Sequence, residues 1–226
     1  MTTPATPVKG RRMWLTTRQI ATAAIFGGLS FAWMALGLTF TLVPPVEINF
    51  LHAFVRLAGF IGGPLTMIPV AFLSAIVSSS PLVDFIGYFV TGLFWLLCVR
   101  AVWYLKGWKR YGLLLLWCWV DAWFFAPLYW LGVFDFVLHA LPLRETWLWV
   151  IGIGETTAYT FIRFIPVALL LAFAPKLMIP AWTWKGNELL EVPEKWPNPR
   201  RDLIILAVAG VATIAISLIL WAVVAA

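Results

Sequence analysis

The amino-acid sequence predicts an all-α, polytopic membrane protein, and three observations carry that prediction. Hydrophobic residues make up 62% of the 226-residue chain, charged residues only 12%, and mean hydropathy is +0.92; soluble domains lie nearer roughly 45–50% apolar and about 25% charged. Uncharged runs recur at a length that matches the about 20 residues a helix needs to cross a bilayer. Lysine and arginine collect at alternate connections between those runs, as they do on the cytoplasmic side of a membrane. This composition excludes an ordinary cytosolic enzyme, a disordered regulator and a nucleic-acid-binding module. It leaves room for about six to eight crossings and little for a soluble domain.

The elements follow in order. Residues 19–43 carry no charge and follow Lys9, Arg11, Arg12 and Arg18. They read as an uncleaved first helix, because a secretory signal has a shorter apolar core and a small-residue cleavage site. Pro44-Pro45 stops it. Residues 57–83 are again uncharged, but Gly62-Gly63-Pro64 interrupts them; glycines suit a bend and proline the first turn of the next helix. The stretch divides into a short helix over 49–62 and another over 64–80. A fourth span covers 84–105, and Lys106-Gly-Trp-Lys109-Arg110 forms a basic turn. The fifth span runs over 112–132 and the sixth over 146–175. Residues 176–202, with four prolines, form a polar connector, and 203–226 is an uncharged seventh span. The chain thus divides into a cytoplasmic tail (1–17), a six-helix bundle (18–175), a cytoplasmic connector (176–202) and an additional transmembrane helix (203–226).

With a cytoplasmic N-terminus, twelve of the sixteen Lys and Arg fall on the inner side: four in residues 1–18, three in the basic turn and five in the connector. The outer loops hold only Arg144, and Arg56, Arg100 and Arg163 lie within spans or at their ends. The expected location is the cell membrane, with the lipid bilayer as solvent.

Ionisable groups inside a bilayer cost roughly 2.5–3.5 kcal/mol each on insertion scales, so each needs a reason to be there. Asp121 lies nine residues into the fifth span, about 13.5 Å from its inner end at the helical rise. Glu155 falls at similar depth in the sixth span, with Tyr159 one turn on and Arg163 continuing the stripe. Either carboxylate could pair with Arg56 or Arg163 and tie helices together, or both could face a ligand that is cationic or donates hydrogen bonds. A proton relay is a third reading, weakened by the lack of a chain of such groups.

Of the fifteen tryptophans, Trp103, Trp108, Trp147, Trp182, Trp184 and Trp196 lie near span ends, where aromatic anchors are expected. Trp95, Trp117, Trp119, Trp123 and Trp130 lie within the fourth and fifth spans and face either lipid or a ligand. Asp135 and His139 are four residues apart but too few for a metal site. Cys98 and Cys118, inside apolar runs, read as small apolar residues. Ala24, Gly28 and Ala32, with Ala23 and Gly27 beside them, let another helix approach closely, whether the protein's own or a partner's. No phosphate-binding glycine loop is present, so ATP is not hydrolysed by that route, and no HExxH, GxSxG or paired-cysteine motif occurs. No cofactor is expected.

The segments Arg18-Gln-Ile-Ala-Thr-Ala-Ala-Ile-Phe-Gly-Gly-Leu-Ser-Phe, Glu47-Ile-Asn-Phe-Leu-His, Ala58-Gly-Phe-Ile-Gly-Gly-Pro-Leu-Thr-Met and Leu73-Ser-Ala-Ile-Val-Ser resemble the substrate-binding (S) components of energy-coupling-factor transporters. The resemblance covers 18–105 by pattern and 106–175 by topology. It implies an S-component-like six-helix bundle that captures a vitamin or metal from outside and topples in the membrane. Its partners would be a transmembrane coupling subunit and ATPase subunits. It further implies a ligand pocket of Asp84, Tyr88, Trp95, Asp121, Trp123, Glu155 and Tyr159. Docking to the coupling subunit would run through Ala23, Ala24, Gly27, Gly28 and Ala32. The seventh span departs from the family, and the Met-His start of its metal-carrying members is absent because Thr2 follows Met1. Two acidic residues among aromatics favour a cationic aromatic cargo, such as a thiamine-like vitamin. Two rivals remain: a membrane enzyme using Asp121, Glu155 or His139 as acid–base groups, and a structural subunit of a larger complex.

Overall fold

The computed structural model describes residues 15–38, 40–43, 46–76, 81–124, 156–178, 195–196 and 198–225. The described chain is helical, with one small hairpin: α1 Thr17–Ala35, β1 Phe40–Val43, β2 Val46–Ile48, α2 Leu51–Gly62, α3 Pro64–Ile76, α4 Pro81–Tyr104, α5 Trp108–Trp123, α6 Thr156–Phe173 and α7 Pro199–Ala225. Among the described residues two helical stretches, Thr156–Phe173 and Pro199–Leu220, are long and apolar enough to cross a membrane.

α1 starts at a capping box. The Gln19 N–H donates to Thr16 Oγ1 at 3.2 Å, and the Thr16 N–H donates to Gln19 Oε1 at 2.9 Å, which satisfies backbone donors that a helix start leaves open. It ends earlier than the uncharged run 19–43 suggests. Gly37 takes φ +63°, its N–H donates to the Met34 carbonyl at 2.9 Å, and the Leu38 N–H donates to that of Trp33 at 3.1 Å. This closure depends on a left-handed residue, which glycine supplies without steric cost. The rest of the run is a strand, not a helix: β1 pairs antiparallel with β2, with Phe40 opposite Ile48 and Thr41 opposite Glu47.

The break expected at 62–64 is where α2 gives way to α3. Gly63 has φ +82°, Pro64 opens α3, and Thr66 Oγ1 lies 2.7 Å from the Ala58 carbonyl and 2.5 Å from that of Gly63. The basic turn joins α4 to α5. Arg110 donates through Nε to the Leu105 carbonyl (2.9 Å) and through Nη2 to that of Trp103 (3.0 Å), so one of its cations caps the C-terminus of α4. α5 begins at Trp108, four residues before the expected start, and the seventh helix begins at Pro199 rather than 203.

Side-chain contacts set the helix directions. Gly27 and Ser30 of α1 meet Leu73 and Ser74 of α3, so these two run together. His52 lies beside Tyr88 and Tyr159, and Phe60 beside Trp95, which aligns α2 with α4 and α6. Arg100 near the end of α4 meets Asp202 near the start of α7, and Arg18 near the start of α1 donates to the Leu177 carbonyl just past α6. Consecutive helices therefore alternate in direction. Arg18, Lys106, Lys109, Arg110, Lys176, Arg200 and Arg201 all fall at or beside helix termini at one end of the bundle. The core between the helices holds Val55, Phe60, Val70, Trp95, Val99, Leu114 and Val167, each at most 2% exposed.

Candidate functional site

Four helices meet at a buried polar centre. α2 contributes His52 and Arg56, one helical turn apart and so on one face. α4 brings Tyr88 and Trp95, α5 Asp121, and α6 Tyr159 and Arg163, again one turn apart. All seven are buried. Arg56 donates from Nη2 and Nε to Asp121 Oδ2 at 2.6 and 3.2 Å, and Arg163 Nε lies 3.5 Å from the same oxygen. Two guanidinium groups thus hold one carboxylate at almost zero solvent exposure.

The aromatic rings pack around these charges. The Arg56 guanidinium lies 5.9 Å from the Tyr88 ring centre and 5.8 Å from that of Trp95, and Arg163 lies 5.0 Å from that of Tyr159. These separations suit cation–π attraction, which strengthens where water is excluded. His52 sits between two tyrosines, its ring centre 5.0 Å from Tyr88 and 4.5 Å from Tyr159. Its Nδ1 lies 3.0 Å from Arg163 Nη2. Guanidinium can only donate, so this imidazole nitrogen accepts and the ring carries its proton on Nε2. The indole N–H of Trp95 is buried and has no hydrogen-bond partner among the described residues.

Of the residues expected to form a pocket, Tyr88, Trp95, Asp121 and Tyr159 come together. Asp84 lies in the first turn of α4, half-buried and one turn before Tyr88. Trp123 does not join them. Two residues from Asp121 is about 200° around a helix, and its ring meets Trp119 edge-on at 5.9 Å while its carbonyl accepts from Ser217 Oγ of α7 at 3.3 Å. Glu155, with Asp135 and His139, lies outside the described residues. Asp121 itself takes the pairing alternative and is held by arginines of two other helices. His52 was not singled out from the sequence, although its spacing of four from Arg56 was the available signal.

The small-residue stripe of α1 divides in two. Ala23 and Gly27 are buried, and a Cβ on Gly27 would collide with the Leu73 side chain of α3. Ala24, Gly28 and Ala32 are exposed, with nothing within 4 Å of a Cβ on Gly28. Among the described residues no group of His, Cys, Asp and Glu could hold a metal ion. Cys98 and Cys118 are buried free thiols of the core. Compared with known protein families, curated proteins and solved structures, the chain matches none.

Proposed function

We propose that this chain is a membrane-embedded substrate-capture subunit for a vitamin or similar micronutrient, taking its ligand from outside and handing it to an ATP-driven coupling module. The observation that carries this reading is the convergence of Tyr88, Trp95, Asp121 and Tyr159, from three helices, on one buried polar centre. Burying ionisable groups such as Asp121, Arg56 and Arg163 among apolar helices is costly and marks a functional site by default. The alternation of helix direction, with basic residues gathered at one end, supports a multi-pass placement in the cell membrane with a cytoplasmic N-terminus. The exposed face of Ala24, Gly28 and Ala32 is the surface offered to the coupling subunit. The cluster weighs against a thiamine-like cation, because Arg56 and Arg163 already hold the carboxylate and lie by the aromatic rings that such a cation would use.

Native mass spectrometry of the protein gently extracted from its own membrane tests the reading. A small molecule of vitamin mass should co-purify, and Tyr159→Phe or Trp95→Phe should lower its occupancy at least tenfold without loss of the folded protein. One observation favours a second reading, a structural subunit: Asp121 is engaged by two arginines, which ties α2, α5 and α6 together without any ligand. An empty protein that co-extracts with unrelated membrane subunits would establish that reading instead. An enzyme would be indicated by turnover that Asp121→Asn abolishes while binding persists.

A further inference from the structure

A groove of about 410 Å³ lies between α5 and α6, away from the buried centre. Gly112, Leu116 and Trp119 line it from α5, and Thr157, Thr160 and Phe161 from α6. Gly112 contributes no side chain, while larger residues form the walls. The Thr160 hydroxyl is engaged with the Thr156 carbonyl at 2.7 Å, so the groove is almost wholly apolar. It is also open: Leu116 is 55% exposed, Phe161 50% and Trp119 38%. In a bilayer such a trough faces acyl chains.

Charge selects which lipid. Lys109, Gly112, Leu116 and Trp119 share one face of α5 by their spacing of three and four, so a cation stands one turn before the glycine of the groove. Lys109 and Lys106 are both exposed, whereas Arg110 is occupied in capping α4. Trp108 is 78% exposed, and its ring passes 3.7 Å from where a Gly112 Cβ would stand. An amphipathic aromatic and a lysine at the mouth of an apolar trough match the headgroup level of a membrane.

We propose that the α5–α6 groove holds one anionic phospholipid, an acyl chain lying against Gly112 and Leu116 and the phosphate meeting Lys109 with help from Lys106. The inference rests on the membrane placement and is independent of any captured nutrient. Its test is to titrate the purified full chain in detergent with phosphatidylglycerol, or with phosphatidylcholine of the same acyl chains, and count retained lipids by native mass spectrometry. One phosphatidylglycerol should persist at least tenfold more than phosphatidylcholine. Leu116→Trp, which fills the groove, should lower that adduct at least tenfold. Gly112→Leu, filling it from the other side, should do the same. Lys109→Gln should erase the preference between the lipids, and Val211→Trp on the exposed face of α7 should change nothing. Equal retention of the two lipids would overturn the proposal. So would an adduct indifferent to both groove-filling variants, or equal occupancy by glycerol phosphate, which has no acyl chain.

Discussion

Asp121 shows how a single carboxylate is made tolerable inside an apolar bundle. Its charge is met at 2.6 Å by Arg56 and at 3.5 Å by Arg163, and both arginines lean on aromatic rings. Removing one member of a buried ion pair leaves the others uncompensated, at a cost of about 3–5 kcal/mol. Asp121→Asn should therefore lower the denaturation midpoint in detergent strongly. Replacing all three together (Arg56→Met, Asp121→Leu, Arg163→Met) should be close to neutral, since apolar residues of similar volume need no desolvation. If the cluster binds a nutrient, the triple variant is folded but empty; a triple variant that still retains the co-purified molecule would remove these side chains from the site. Asp121 and Tyr159 were legible in the sequence because a charge, or a tyrosine in line with one, stands out within an uncharged run. Arg56 and Arg163 were legible as candidate partners, but the pairing itself was not: an arginine reaches several ångströms along its helix, so which carboxylate it meets depends on how helices distant in sequence are set against each other. Trp123 stands apart from the cluster for a simpler reason, since proximity in sequence to Asp121 is not proximity around the helix.

At the scale of elements, glycines decide where helices end and how closely they approach. Gly63 holds φ +82° at the α2–α3 turn, a conformation that costs a side-chain-bearing residue about 1 kcal/mol or more. Gly63→Ala should thus destabilise the bundle by that amount in a detergent unfolding titration. Gly27 and Gly28 offer a sharper contrast, being adjacent residues with opposite surroundings. Gly27→Leu should unsettle the α1–α3 contact and lower thermal stability, whereas Gly28→Leu should leave the isolated protein's stability unchanged. If α1 docks a coupling subunit, Gly28→Leu should instead reduce co-purification of that subunit. The α2–α3 break was readable from Gly62-Gly63-Pro64 because its chemistry is local. The end of α1 was not, because Gly37 sits in an otherwise unbroken uncharged run and hydropathy does not separate helix from strand.

At the scale of the whole molecule, α7 is joined to the preceding helices by contacts at its start and along its length. Asp202, fully buried, accepts from Arg100 Nη1 at 2.9 Å and from the Trp196 indole N–H at 3.1 Å, and Arg201 Nη2 lies at 3.2 Å. Trp196 stacks on Tyr104 with the rings 4° from parallel. Further along, Gly210 lies against Val120, and Ser217 bonds the Trp123 carbonyl. α7 is therefore fastened to α4 at its start and to α5 along its length, directly behind the segment that carries Asp121. Asp202→Ala should weaken this attachment by about 1.5–3 kcal/mol, the scale of losing hydrogen bonds to a charged group. Hydrogen exchange should then rise in α7 while α2 and α6 keep their protection; equal loosening of every helix would instead mean that Asp202 supports the whole bundle.

What the sequence by itself determined is the inventory of apolar segments, the tight turns between them and the sorting of basic residues, because these depend on composition and on neighbours a few positions apart. Tertiary structure decided what each singular residue does. It gave Asp121 to two arginines, set His52 between two tyrosines, divided one stripe of small residues into a buried half and an exposed half, and secured α7 through Asp202. Each outcome rests on contacts between helices tens of residues apart in the chain, where the azimuth and register of packing, invisible in hydropathy, determine which side chains can touch.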